Sequence, residues 1–374
     1  MRIGLVAGEA SGDSLGAGLM REILKIHPDA NFEGILGPKM KKVGGDCWAS
    51  SEELSVMGII EPLKRMPRLL LLRKKIINKW LQHPPDIFIG IDSPDFNLSL
   101  EEKLHSKGIA TVHYVSPSIW AWRANRVKKI RRAVDKVLCL LPFEPDLYKI
   151  HGISAVFVGH PLAKNLPYEL DRKAVRDKFK LPSGIIIGIL PGSRSSEIKN
   201  IGPIFANVAK SLISKYKDIS FVSPMSSQET YNQFEKYLKH HCIREAFVLV
   251  EGHSHEMMVA SNLVLLASGT AALESALLSR PTIAVYKLSM LTYFILNKLV
   301  NIDSFTLPNI LLKKEVIPEF IQNEASVENL NKIICKFLDN QHETEFSKND
   351  SELLKSKLNF NTDKLAALEV LELL

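Results

Sequence analysis

Short, wholly apolar runs recur along the 374-residue chain, separated by longer stretches with apolar positions every three to four residues. The runs predict strands at Ile3–Ala7, Phe32–Leu36, Asp86–Ile91, Ala110–Val115, Lys136–Leu141 and Ala155–Val158. A second series falls at Ile185–Leu190, Ser220–Val222, Ala246–Val250, Leu263–Leu266 and Thr282–Val285. Runs that are apolar throughout, rather than alternating, belong to strands covered on both faces, as in parallel sheets. The intervening stretches read as helices: Leu15, Leu19, Ile23 and Ile26 fall on one side of a helix after the first strand. Strand–helix repetition predicts right-handed βαβ units.

The pattern restarts. Gly159-His160-Pro161 closes the first series, and a polar stretch leads to a new strand after Leu181-Pro182-Ser183-Gly184. The fold class expected is α/β, with two Rossmann-like doubly wound domains facing across a cleft. They would span residues 1–161 and 162–340. A tail, 341–374, carries helical pattern at Leu365–Leu374 after a polar stretch, and is expected to stray from its own domain. In open parallel sheets ligands bind beyond the carboxyl ends of the strands, so the loops after strands are where chemistry is sought.

Composition narrows the partners. Hydrophobic residues make up 46% and charged ones 24%, which excludes a disordered or low-complexity chain. No apolar run approaches the roughly 18–20 residues of a membrane span. The apolar stretch at the start is too short for a signal-peptide core and reads as a first strand, so the protein is expected to stay in the compartment where it is made. Cys47, Cys139, Cys242 and Cys335 lack pairing or metal spacing, as in a reducing compartment. Residues 1–161 hold 23 Lys/Arg against 17 Asp/Glu, so +6 of the net +7 lies there. Such asymmetry points to an anionic partner.

Four loops carry candidate chemistry. Gly8-Glu9-Ala10-Ser11-Gly12-Asp13 follows the first strand and reads either as a tight turn or as a ligand loop at a helix start. Its spacing is not GxGxxG and no acid ends the second strand, which disfavours NAD. Pro94 ends the strand before it and leaves Asp92 at a carboxyl end, where a carboxylate can serve as general base. Arg194, in Pro191-Gly192-Ser193-Arg194, suits a phosphate. Ser268-Gly269-Thr270 opens a helix, as an ordinary N-cap or as a diphosphate grip. Glu274, one turn on, favours the grip, since it can accept both ribose hydroxyls. His253-Ser254-His255-Glu256 lacks the second histidine of HExxH, because Val259 stands there. No DxD occurs, so no obligatory metal and no cofactor is expected.

Two basic stretches account for the charge. Lys64–Trp80 has seven Lys/Arg and no acid, with Leu69, Leu72, Ile76 and Trp80 on one helical face. Arg123–Arg132 adds six cations behind Trp120-Ala121-Trp122. Basic, apolar and Trp-bearing together fit an anionic lipid surface better than nucleic acid, while a solvated face with a packed stripe explains either stretch alone.

These residues, in this order, resemble the lipid-A-disaccharide synthase family of inverting GT-B glycosyltransferases. The likeness rests on Leu5–Asp13, Val56-Met57-Gly58-Ile59, Gly90–Asn97, His113–Arg123, Leu190–Arg194, Ala267–Glu274 and Leu307-Pro308-Asn309. It implies transfer of 2,3-diacylglucosamine from UDP-2,3-diacylglucosamine to the 6-hydroxyl of 2,3-diacylglucosamine 1-phosphate (lipid X), with UDP released. The resemblance makes Asp92 the candidate base and puts Arg194 and Asn309 in the UDP-sugar site. It makes Glu274 the ribose acid and Ser268, Gly269 and Thr270 the diphosphate loop, with Glu9 and Asp13 facing the donor. It further implies a homodimer, peripheral on the cytoplasmic face of the inner membrane, in which residues 341–374 either pack on the N-terminal domain or are exchanged between protomers. The competing readings are another GT-B UDP-sugar transferase or UDP-sugar epimerase, and a non-catalytic anion-binding module for nucleic acid.

Overall fold

The structure is a computed structural model that describes residues 1–54, 60–117, 119, 126–287, 304–339 and 348–374, without the side chains of 60–65. The motif at 56–59, the Trp-bearing block at 120–123 and much of the polar stretch before the tail lie outside these residues.

The chain forms two units, Met1–Lys164 with Lys357–Leu374, and Asn165–Ser356. The first holds a sheet of β1 (Arg2–Ala7), β2 (Asn31–Leu36), β3 (Asp46–Ser50), β4 (Ile87–Ile91), β5 (Ala110–Tyr114), β6 (Lys136–Cys139) and β7 (Ala155–Phe157), ordered 3-2-1-4-5-6-7. The second holds β8 (Ile185–Leu190), β9 (Ile219–Met225), β10 (Phe247–Glu251), β11 (Leu263–Ala267), β12 (Thr282–Tyr286) and β13 (Glu319–Ile321), ordered 10-9-8-11-12-13. Every pairing described is parallel.

The apolar runs become strands because both faces are covered. Ile3, Leu5 and Ala7 of β1 join one core with Leu15, Leu19 and Ile23 of the helix Ala10–Ile26. Val6, facing the other way, joins Trp80, Phe88 and Leu100. Ile26 closes its helix exposed rather than on the buried stripe. Edge strands β3 and β13 escape the periodicity: neither has a fully buried residue.

The helix Ile60–Gln82 corrects one expectation. Trp80 is not interfacial. It is fully buried, its ring centroid 5.0 Å from those of Trp48 and Phe88, and its indole N–H donates to Glu33 at 3.0 Å. The helix divides its apolar residues: Ile76 and Trp80 enter the core, whereas Met66, Leu70 and Leu71 stay exposed.

The helix Thr362–Leu371 packs on the first unit through Ala366, Ala367 and Val370. Lys136, at the start of β6, clamps it: Nζ donates to Glu369 at 2.8 Å and Glu372 at 2.6 Å. Burial opposes the ammonium charge, but the two carboxylates outweigh it and raise the lysine pKa above its ordinary value. The same contact holds Glu372 below the usual carboxylate range. The clamp therefore persists across neutral pH. It is lost as pH falls through the lowered Glu372 value or climbs through the raised lysine value. Lys136→Met is expected to cost roughly 1–2 kcal/mol and to speed amide exchange in 362–371. Exchange in β8 to β12 should not change; unaltered protection of the terminal helix would show the clamp to be idle.

Candidate functional site

In each sheet the strand order reverses once, between β1 and β4 and between β8 and β11. Helices leave such neighbours toward opposite faces, so a crevice opens beyond their carboxyl ends. All four candidate loops lie at these two points.

In the first unit Ala7 is registered with Ile91, so Gly8-Glu9 and Asp92-Ser93 emerge side by side. The approach is close: a Cβ on Gly8 would stand 1.9 Å from Ser93 Oγ. Pro94 occupies the first turn of the helix Pro94–His105, where a missing N–H is harmless. Asp92 and Ser93 turn the chain into that helix with φ of 54° and 44°. Left-handed backbone at a non-glycine residue costs roughly 1–3 kcal/mol, and two in succession need support. The Asp92 amide donates to Tyr114 O at 2.8 Å, and Asp92 Oδ1 accepts from the Ser93 amide at 2.8 Å. The second Asp92 oxygen has no hydrogen bond among the described residues, and the side chain is half-buried. Glu9 is exposed at the start of Ala10–Ile26. Asp13 is buried and commits both oxygens to amides, accepting from Lys39 at 2.8 Å and Met40 at 3.0 Å. It caps the helix Pro38–Val43 and holds that helix against Ala10–Ile26.

Beside this turn runs a groove of about 620 Å³, lined by Leu54, Met66, Leu69, Leu70, Phe96 and Arg73, with Ser93 at its edge. Its lining is largely apolar, with Arg73 and Asp95 bringing opposite charges to it.

In the second unit Leu266 is registered with Leu190, which sets Pro191–Arg194 beside Ser268–Thr270. Glu197 shapes the first loop: Oε2 accepts from the Ser193 and Arg194 amides at 2.9 and 3.2 Å, and Oε1 pairs with the Arg194 guanidinium at 3.1 Å. Arg194 is two-thirds exposed. The Ser268 amide donates to Val285 O at 2.8 Å, while Gly269 and Thr270 lie exposed at the start of the helix Thr270–Leu277. That start carries unpaired N–H groups and the positive end of the helix dipole.

Glu274 lies one turn deeper and meets His255 Nε2 at 2.9 Å. No spacing in the sequence links His255 to Glu274: the two residues belong to different helices, joined only by the fold. The hydrogen bond with Glu274 raises the His255 pKa above the ordinary histidine value, against the opposing effect of burial. Asn309 is saturated. Its Oδ1 accepts from Val316 and Ile317, and its Nδ2 donates to Ile317 O and Glu319. Glu319 also accepts from Ser304 and Thr306, so the two residues lock the loop 304–309.

A raised histidine pKa means that the His255–Glu274 pair stabilises the fold fully below about pH 6.5. That contribution fades as pH rises through the folded-state value. An NMR titration is expected to find His255 with a midpoint above 6.5, and Glu274→Gln should lower it. A midpoint that Glu274→Gln leaves in place would disprove the pairing.

Sequence comparisons with known proteins point to one family. The sequence profile described as Lipid-A-disaccharide synthetase matches residues 3–372. A Lipid-A-disaccharide synthase of Hahella chejuensis is 44% identical over 100% of this chain and 94% of its own length. That of Aeromonas hydrophila is 43% identical over 100% and 98%. Among solved structures, UDP-GlcNAc 2-epimerase from Neisseria meningitidis bound to UDP-GlcNAc superposes with TM-score 0.60 at 13% identity, covering 100% of this chain and 99% of that one. At that identity the likeness speaks for the fold alone, two parallel-sheet α/β domains of GT-B type. With a profile match over nearly the whole length, the chain belongs to the lipid-A-disaccharide synthetase family.

Proposed function

We propose that this chain transfers 2,3-diacylglucosamine from its UDP derivative to the 6-hydroxyl of 2,3-diacylglucosamine 1-phosphate, inverting the anomeric centre. Family membership supports the reaction. The observation that carries the division of labour is the clustering of the candidate loops at the two points of strand reversal.

The second unit grips the nucleotide. The diphosphate lies at the Thr270 helix start, with Arg194 meeting the charge that develops on departing UDP. Donors fixed before the reaction stabilise such charge at little reorganisation cost. Glu274, oriented by His255, accepts from the ribose hydroxyls. Asn309 acts through the loop it locks rather than by direct contact. The first unit handles the acceptor. The free oxygen of Asp92 takes the proton of the attacking hydroxyl, Glu9 stands beside it, and Asp13 holds the surrounding helices. An acyl chain enters the groove beside Ser93, and Arg73 in its lining attracts the acceptor phosphate.

No helix among the described residues is long and apolar enough to cross a membrane. Exposed Met66, Leu70 and Leu71, alongside Arg68, Lys74 and Lys75, favour peripheral attachment to an anionic lipid surface, which would be the cytoplasmic face of the inner membrane. A homodimer is part of the same proposal, on family grounds.

Incubation with UDP-2,3-diacylglucosamine and the monosaccharide 1-phosphate should yield a tetraacyl disaccharide 1-phosphate by mass spectrometry. An isomerised UDP-sugar formed without a lipid acceptor would instead favour an epimerase. Asp92→Asn is expected to fold normally and lose roughly 10²–10⁴-fold in turnover, the range for a general base; wild-type turnover would remove Asp92 from that role. Replacing Arg73, Lys74 and Lys75 by Gln should weaken binding to anionic vesicles more than binding of UDP. Equal vesicle affinity would retire the membrane face.

A further inference from the structure

Beneath the Asp92 turn lies a buried polar cluster that the proposed chemistry does not use. Asn97 and Glu101 sit one helical turn apart on Pro94–His105, facing the sheet, and both are fully buried. Asn97 Nδ2 donates to Asp92 O at 2.7 Å and lies 3.4 Å from Ile91 O. Glu101 Oε1 bonds His113 Nδ1 at 2.7 Å, with neither residue exposed. His113 is the register partner of Gly90, two residues before Asp92. A Cβ on Gly90 would stand 2.1 Å from Glu101 Oε1 and 3.0 Å from Asn97 Cβ, so a larger residue there would displace the carboxyl group. The carboxyl group thus fills the side-chain space left by Gly90 in β4, the strand that leads into Asp92.

Stability alone does not account for this cluster. Asn97 Oδ1, Glu101 Oε2 and His113 Nε2 are buried with no hydrogen-bond partner among the described residues. Burial pushes the Glu101 carboxyl up, against the pull of His113 and Lys129. Buried ion pairs are often matched or bettered in stability by apolar residues of the same volume. What the pair does achieve is registry. It pins the second turn of the helix to β5, and so fixes the first turn, and Asn97, over the carbonyl of a doubly left-handed turn.

We infer that Asn97, Glu101 and His113 are positioning residues that hold the strained Asp92–Ser93 turn in its reactive geometry. The inference rests on the reading of Asp92 as the base. Asn97→Ala, and the pair Glu101→Leu with His113→Leu, would be measured for kcat, KM and melting temperature, and for amide exchange at Asp92 and Ser93. Both variants should lose about 10²-fold in kcat, as for a small misplacement of a catalytic group, with KM for either substrate within about twofold. The two amides should exchange faster. The leucine pair should melt at or above the wild-type temperature, a combination that a merely structural role would not produce. In an Asp92→Asn background the same changes should cause no further fall in kcat, since groups acting through one residue are not additive. Wild-type kcat in either variant, or an equal further fall in that background, would overturn the inference. Wild-type turnover by Asp92→Asn alone would instead sink the base assignment. Should the leucine pair fail to fold, Glu101→Gln decides by the same amides: unchanged exchange would count against positioning.

Discussion

A parallel sheet sends all its strands out at one edge, and wherever its order reverses the covering helices part. This single constraint, met once in each unit, determines where the candidate groups of this protein stand. Asp92 and Glu9 on one sheet, and Arg194, Ser268 and Thr270 on the other, come from loops far apart in sequence. They are neighbours only because β1 adjoins β4 and β8 adjoins β11. Packing along the rest of each strand keeps those edges in register to within the reach of a hydrogen bond.

Charge is handled differently in the two units. In the second, carboxylates organise their own loops: Glu197 gathers two amides and a guanidinium, and Glu319 gathers a loop with Asn309. The Glu197 contacts lie at the surface, and those of Glu319 are partly buried beside Asn309 and Thr306. In the first, Glu101 and His113 are taken wholly out of water beneath a turn that is itself strained. Concentrating unfavourable local terms at a site is common where geometry matters more than stability, and the large apolar cores on either side supply the margin that permits it.

Much of this was legible in the sequence, for physical reasons. Continuous apolar runs such as Ile87–Ile91 and Ile185–Leu190 can belong to few other environments, so the central strands, and with them the candidate loops at their carboxyl ends, could be read directly. The edge strands could not, because Asp46–Ser50 and Glu319–Ile321 are only partly buried and carry little periodic signal. Trp80 misled because composition does not say which side of a helix meets the core. The Glu274–His255 contact was hidden, since it joins two helices whose proximity exists only after folding. Asn309 was identified by its resemblance to a family position, but the saturation of its amide appears only in three dimensions.

The return of residues 357–374 to the first unit means that this unit is discontinuous in the chain, with the whole of the second inserted between its parts. During synthesis its leading segment must wait, with the apolar flank later covered by Ala366 and Val370 still open to water, while nearly two hundred further residues emerge. The inserted unit can close on itself meanwhile. Maturation is thus expected to run from the middle outward, and the half that carries Asp92 becomes complete only when the final helix docks.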